Sequence, residues 1–146
     1  MDGASPAGRL AGRATVTRFV LICCGGAVGT GARYLLGGLV ARWAGPDFPY
    51  GTLLINVLGS FLIGVVQQVG LSTLLIPDTL RLVLAIGVMG GFTTYSSFSY
   101  ETIRLLEGGS WLAASLYVLL TTALCLACCA AGLSLARVLV EGNGGW

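Results

Sequence analysis

Gly90-Gly91-Phe92-Thr93-Thr94-Tyr95-Ser96-Ser97-Phe98-Ser99 lies in the middle of an otherwise apolar run from Leu80 to Leu106. A glycine pair breaks or kinks a helix. The hydroxyl-bearing residues after it give the freed backbone groups local partners. Broken helices at membrane depth occur only where protein or water covers the backbone, and they recur at ion sites. Tyr95 and Phe98 are three residues apart, so their rings share one face of the helix that follows, and ring edges carry partial positive charge. Two readings stand at this level: a Ser/Thr-rich packing seam, or an anion path edged by aromatic rims. In either case the stretch reads as a membrane helix interrupted at Gly90–Thr94.

Three more apolar runs surround it: Phe19–Val40, Gly51–Val69 and Trp111–Val138. Each approaches or exceeds the roughly 20 residues that span a bilayer. The first is too long for the apolar stretch of a signal peptide. The expected fold class is therefore an all-α membrane protein with four transmembrane helices and both termini on one side. Residues 1–18 read as a mobile cytoplasmic tail, 19–138 as the transmembrane domain and 139–146 as a C-terminal tail. Arg42-Trp43 with Gly45-Pro46-Asp47 reads as an interfacial turn, and Gly70–Asp78 as a short connection. Trp43, Tyr50 and Trp111 fall where aromatic rings favour the interface.

Composition supports this. The 146 residues are 55% hydrophobic and 10% charged, with 23 glycines, and the mean hydropathy is +0.88. A soluble domain carries about 25% charged residues. So little charge cannot cover a water-facing surface, which excludes a soluble enzyme or a disordered chain. The basic residues are eight scattered arginines, giving a net charge of +2 and no patch that would hold nucleic acid. With no histidine, His-metal sites and Ser-His or Cys-His catalysis are excluded. Arg18, Arg81 and Arg137 near the helix ends on one side are nearly balanced by Arg42 and Arg104 on the other. Topology is thus weakly specified, which permits insertion in both orientations.

Polar residues at depth are costly and mark candidate function. Arg33 lies in Gly25-Gly26-Ala27-Val28-Gly29-Thr30-Gly31-Ala32-Arg33-Tyr34. It either snorkels to the interface or places positive charge at the mouth of an anion path. Gly25 with Gly29, and Ala27 with Gly31, have small-xxx-small spacing for helix contact. Asn56 and Ser60 share a face of the second helix. Asn56 is either an interhelical hydrogen bond or a pore donor, its amide offering two donors and an acceptor. The cysteines (Cys23, Cys24, Cys125, Cys128 and Cys129) all lie inside predicted helices and read as small hydrophobes. Glu101 is the only acid near the core of the third helix. The scarcity of membrane carboxylates argues for a passive anion path over a proton-coupled pump.

In these segments the chain resembles the Fluc/CrcB family of bacterial fluoride channels. The shared elements are Gly25–Gly29 with Arg33-Tyr34, Gly51-Thr52-Leu53 with Asn56 and Gly59-Ser60-Phe61, and Gly90–Ser99, in the family's order and covering about residues 19–138. The resemblance implies a fluoride-selective passive channel, not an enzyme, in the inner (plasma) membrane. It would be an antiparallel, dual-topology homodimer with two pores. Asn56 would hydrogen-bond fluoride, Tyr95 and Phe98 would form the aromatic box, Ser97, Thr121 and Glu101 would continue a polar track, and Arg33 would attract anions at the vestibule. A structural sodium ion at the dimer interface would be held by the carbonyls of Gly90 and Thr93. Tyr95 departs from the Phe usual at the first box position, and Ser97 stands where Thr is common. Alternative readings are a small multidrug-type transporter, which would need an acid between Phe19 and Trp43, a thiol-based metal carrier on Cys23 and Cys24, and a structural membrane subunit.

Overall fold

The structure, a computed structural model, describes residues 6–45, 47–72 and 76–142. These form helices α1 (Pro6–Ala44), α2 (Tyr50–Ser72), α3 (Asp78–Leu82), a π-helical segment (Val83–Val88), α4 (Met89–Phe92), α5 (Tyr95–Glu107) and α6 (Trp111–Gly142). No strand occurs among the described residues. Four helical spans are long and apolar enough to cross a membrane: Gly12–Ala44, Tyr50–Ser72, Asp78–Glu107 and Trp111–Gly142. The all-α class and the four spans agree with the sequence reading. The helices extend further than the apolar runs. α1 begins at Pro6, within the segment read as a tail, and α6 continues to Gly142. The remainder of both tails, Pro46, and residues 73–75 of the second connection lie outside the described residues.

Helix ends follow backbone chemistry. α1 stops at Gly45, whose φ of +77° is the left-handed conformation that glycine accepts without strain. α5 ends the same way at Gly109, with φ +75°. There the amides of Gly108, Gly109 and Ser110 return to the carbonyls of Arg104, Leu106 and Leu105. The turn is short, so α6 runs back beside α5.

Two backbone-close seams hold the bundle together. Along the first, α1 meets the third span. A Cβ on Gly29 would collide with the carbonyl of Val88, one on Gly91 with the carbonyl of Gly26, and one on Gly87 would lie 2.7 Å from the carbonyl of Ile22. Along the second, a Cβ on Gly132 of α6 would collide with the carbonyl of Phe61, and one on Gly64 of α2 would come within 2.5 Å of the carbonyl of Cys129. Such approach replaces the missing hydrophobic drive between helices in lipid with dispersion contact. Gly25 and Gly29 act as their spacing suggests. Gly31 meets nothing within 4 Å, so the Ala27–Gly31 pair adds no packing here.

The glycine pair of the third span is not where that span opens. Gly90 and Gly91 are helical, and the break falls on Thr93 and Thr94, with ψ of 158° and φ of −150° respectively. Gly91 is small because α1 presses on it. The bundle's buried apolar core is slight, with Ile55, Met89, Phe92 and Tyr117 its largest members. Large apolar side chains face outward, Leu35 at 71% and Leu112 at 75% exposure among them. That surface suits acyl chains or another copy, not water. At one end Arg18 donates to the Thr79 hydroxyl and Arg137 to the Gln68 carbonyl oxygen. The arginines counted together on the terminal side therefore gather at one end of the bundle.

Gly91→Leu should lower stability in detergent by about 1–3 kcal/mol, because the side chain has only the α1 backbone to displace. Gly12→Ala, at a position with nothing within 4 Å, serves as the control. Thermal unfolding followed by circular dichroism reads both, and equal midpoints would show that the first seam is not close-packed.

Candidate functional site

The break is fastened from α2. The Thr94 amide donates to Asn56 Oδ1 at 2.8 Å, and Asn56 Nδ2 donates to the Thr94 carbonyl at 3.1 Å. Both residues are buried, Asn56 at 8% and Thr94 at 6% exposure. One side-chain amide thus satisfies both backbone groups of a residue that has left its helix. Thr94 then caps α5: its Oγ1 accepts from the Ser97 amide at 3.1 Å and lies 2.9 Å from Ser97 Oγ. Hydroxyl capping of a helix start is worth about 1 kcal/mol.

This arrangement diverts two amides. In a continuous helix the Thr94 amide would bond the Gly90 carbonyl, and the Ser97 amide the Thr93 carbonyl. Here the first goes to Asn56 and the second to the Thr94 hydroxyl. With Tyr95 and Ser96 opening a new helix, the carbonyls of Gly90, Gly91, Phe92 and Thr93 all lose the amide that a continuous helix would give them. A Cβ on Gly90 would meet nothing within 4 Å, so space lies open beside Gly90. Backbone carbonyls are the kind of oxygen donor that a hard cation prefers.

Two cavities flank the break. A groove of about 400 Å³ is lined by Asn56, Gly90, Thr93, Tyr95, Phe98 and Thr121 among others. No charged side chain lines it. The Tyr95 and Phe98 rings lie 5.6 Å apart and tilted by 48°. Tyr95 is 80% exposed, and the single chain leaves the groove open on that side. The Thr121 hydroxyl is buried with no hydrogen-bond partner among the described residues. A wider cavity of about 990 Å³ is lined by Arg33, Ser97 and Glu101. Arg33 forms no ion pair among the described residues. Thr94 lines both spaces. The residues read as one track are thus divided between two cavities that meet at Thr94.

Glu101 is not a free carboxylate. Thr52 Oγ1 donates to its Oε1 at 2.8 Å, and the Tyr117 hydroxyl donates to its Oε2 at 2.7 Å. Tyr117 is fully buried and its ring lies 5.2 Å from that of Phe98. Phe48 closes on Tyr117 edge-on at 5.4 Å. Thr52 and Tyr117 were not singled out from the sequence, yet the signal was there: Thr52 is four residues before Asn56, and Tyr117 four before Thr121. Each pair shares a helix face. Cys23 and Cys24 are exposed on α1, apart from both cavities. No group of three or more potential His, Cys or acidic metal ligands forms among the described residues.

Residues 20–133 match the family described as CrcB-like protein, Camphor Resistance (CrcB). The chain is 52% identical over 122 residues to a fluoride-specific ion channel FluC of Anaeromyxobacter dehalogenans, covering 84% of this chain and 97% of that one. It is 52% identical over 124 residues to its namesake from Geobacter sulfurreducens, covering 85% and 100%. A third, from Sorangium cellulosum, is 49% identical over 125 residues, covering 86% and 98%.

Asn56→Ala strands the buried amide of Thr94, whose carbonyl keeps the first bond of α5. An unsatisfied buried polar group costs about 1–3 kcal/mol, so thermal stability in detergent should fall by at least that much. Tyr117→Phe, which leaves one oxygen of Glu101 unpaired, should cost a similar amount. An Asn56→Ala midpoint equal to the parent's would mean that another group holds the break.

Proposed function

Since the chain belongs to the CrcB-like family, we propose that it is a fluoride-specific ion channel, a passive path and not an enzyme. The observation that carries this reading is the uncharged groove at the break, lined by Asn56, Thr121 and the rings of Tyr95 and Phe98. Fluoride is small, strongly hydrated and a good hydrogen-bond acceptor. A path for it must replace water with neutral donors that also let go. Asn56 spends one amide hydrogen on Thr94 and has a second to offer an anion. The edges of Tyr95 and Phe98 add a weakly positive rim, and the Thr121 hydroxyl a further donor. Chloride is larger and fits poorly between ring edges.

In this reading the wide cavity is the vestibule. Arg33 raises the local anion concentration there without trapping the ion in the narrow groove. Ser97 and Thr94 carry the ion toward Asn56. Glu101 holds the hydroxyls of Thr52 and Tyr117 in place, and their hydrogen bonds disperse its charge. The phenol of Tyr95 keeps the ring of the box and adds a hydroxyl to its rim.

The groove is open on the Tyr95 side, so we assign its missing wall to a second copy of the chain. The near balance of arginines at the two ends favours an antiparallel, dual-topology homodimer with two pores. A sodium ion between the copies would be held by the Gly90 and Thr93 carbonyls, supplying a fixed positive charge that joins the two breaks. In the plasma membrane such a pore lets the inside-negative potential expel fluoride that entered as HF and dissociated, lowering its toxicity without energy coupling.

Proteoliposomes loaded with fluoride should release it when a potassium gradient with valinomycin sets the voltage, and should retain chloride. Absent or unselective release would overturn the channel reading. Asn56→Asp, which puts negative charge in the groove, should reduce efflux at least 100-fold, about 2.7 kcal/mol on the barrier. Replacing sodium with N-methylglucamine during purification should shift the assembly toward monomer on size exclusion with light scattering. An unchanged dimer would remove the cation from the interface.

A further inference from the structure

Two guanidinium groups at the terminal end of the bundle leave most of their donors unspent. Arg18 stands immediately before the apolar run of α1, and Arg137 one residue before the end of that of α6. Both are exposed, and both fall where hydrocarbon gives way to headgroups. Each is fastened through its Nε alone, and to a neutral group. Arg18 donates to the Thr79 hydroxyl at 3.2 Å, and Arg137 to the Gln68 carbonyl oxygen at 3.3 Å. Gln68 is itself oriented, its Nε2 donating to Ser72 Oγ at 2.7 Å. A guanidinium carries five N–H donors, and all but one of each remain, on the terminal nitrogens. Neither arginine pairs with an acid among the described residues. Asp78 is taken by Arg81, and Glu141, one turn beyond Arg137, makes no ion pair there. The two positions belong to one surface. The Arg81 side chain occupies the place that a Cβ on Gly70 would need. That contact lies two residues from Thr79 on α3 and two from Gln68 on α2.

We infer that this end of the bundle is a binding surface for anionic phospholipid, with Arg18 and Arg137 each gripping a headgroup phosphate. The terminal nitrogens of a guanidinium form a planar fork that matches two phosphate oxygens. A neutral acceptor on Nε holds that fork in place without offsetting its charge. Part of the ordering cost is thus met before the ligand arrives. The neighbours of the two arginines select a lipid over a free anion. Phe19 follows Arg18 and Val138 follows Arg137, and both are exposed apolar side chains. A charged fork beside an outward apolar residue complements a molecule with a phosphate at one end and an acyl chain at the other. The inference rests on the membrane spans and on this end of the bundle, and not on the ion path.

The test titrates the full chain in non-ionic detergent with phosphatidylglycerol and counts bound lipid by native mass spectrometry. Phosphatidylcholine and inorganic phosphate are the comparison ligands. One arginine near an anionic lipid surface is worth a factor of about five in affinity. Arg18→Gln and Arg137→Gln should therefore each weaken phosphatidylglycerol binding about fivefold at its own position. The two together should remove the preference for phosphatidylglycerol over phosphatidylcholine. The pair Arg18→Lys with Arg137→Lys keeps the charge and loses the fork, so its affinity should fall between those of the parent and the Gln pair. Arg104→Gln is the control, since Arg104 Nη1 is already paired with Glu107 at 3.4 Å, and it should bind as the parent does. Equal affinity of the parent for the two lipids, or undiminished binding by the Gln pair, would overturn the surface. Parent-like binding by the Lys pair would overturn the fork and leave only point charge. Displacement of phosphatidylglycerol by an equal concentration of inorganic phosphate would assign the arginines to a free anion and overturn the lipid.

Discussion

A residue that leaves its helix inside a membrane must still have its amide and carbonyl satisfied, and here one side chain does both. Asn56 holds the two backbone groups of Thr94 in a reciprocal pair. In hydrocarbon an unsatisfied backbone group costs several kcal/mol, so the extended residues Thr93 and Thr94 exist only because α2 presents an amide at that depth. The pair also fixes where α5 starts. Thr94 caps it, and the start of α5 sets where Tyr95 and Phe98 point. The groove, the carbonyls released from Gly90 to Thr93, and the spacing of the rings all follow from it.

For Asn56 to reach Thr94, α2 must lie against the third span, and the glycine seams make that possible. A Cβ on Gly59 of α2 would collide with the Thr93 side chain. This is one turn from Asn56, so the same face that supplies the amide is cleared of bulk. α1 supports the other side through Gly26 and Gly29 against Gly91 and Val88. The seams leave little apolar core, and the bundle turns its large apolar side chains outward. In a lipid solvent this is stable, since outward leucine costs nothing there.

Much of this was legible in the sequence because hydropathy and spacing report it directly. The apolar runs, the cluster of hydroxyls after Gly91 and the polar residues at depth mark four spans and an interrupted third one. Spacing on one helix also anticipates Tyr95 with Phe98 and Gly25 with Gly29. What was not legible depends on partners between helices. The glycine pair looks like the break, yet both residues are helical and only Gly91 meets α1, and the break lies two residues later where Asn56 can fasten it. Glu101 reads as a lone acid until Thr52 and Tyr117, from two other helices, are seen to donate to it. The division of the polar residues between two cavities is likewise a matter of helix rotation, which periodicity within one helix does not reveal.

The π-helical segment Val83–Val88 has a consequence of a different kind. Its i→i+5 bonding fits one more residue into a turn than an α-helix does. Each residue of an α-helix advances the azimuth by about 100°. The wide turn therefore acts as a phase adjuster: it absorbs a residue upstream so that Met89, the Asn56-bound break and the rings below keep their bearing. A change of length before Asp78 leaves that bearing alone, whereas an insertion or deletion between Val83 and Tyr95 would reorient every downstream contact.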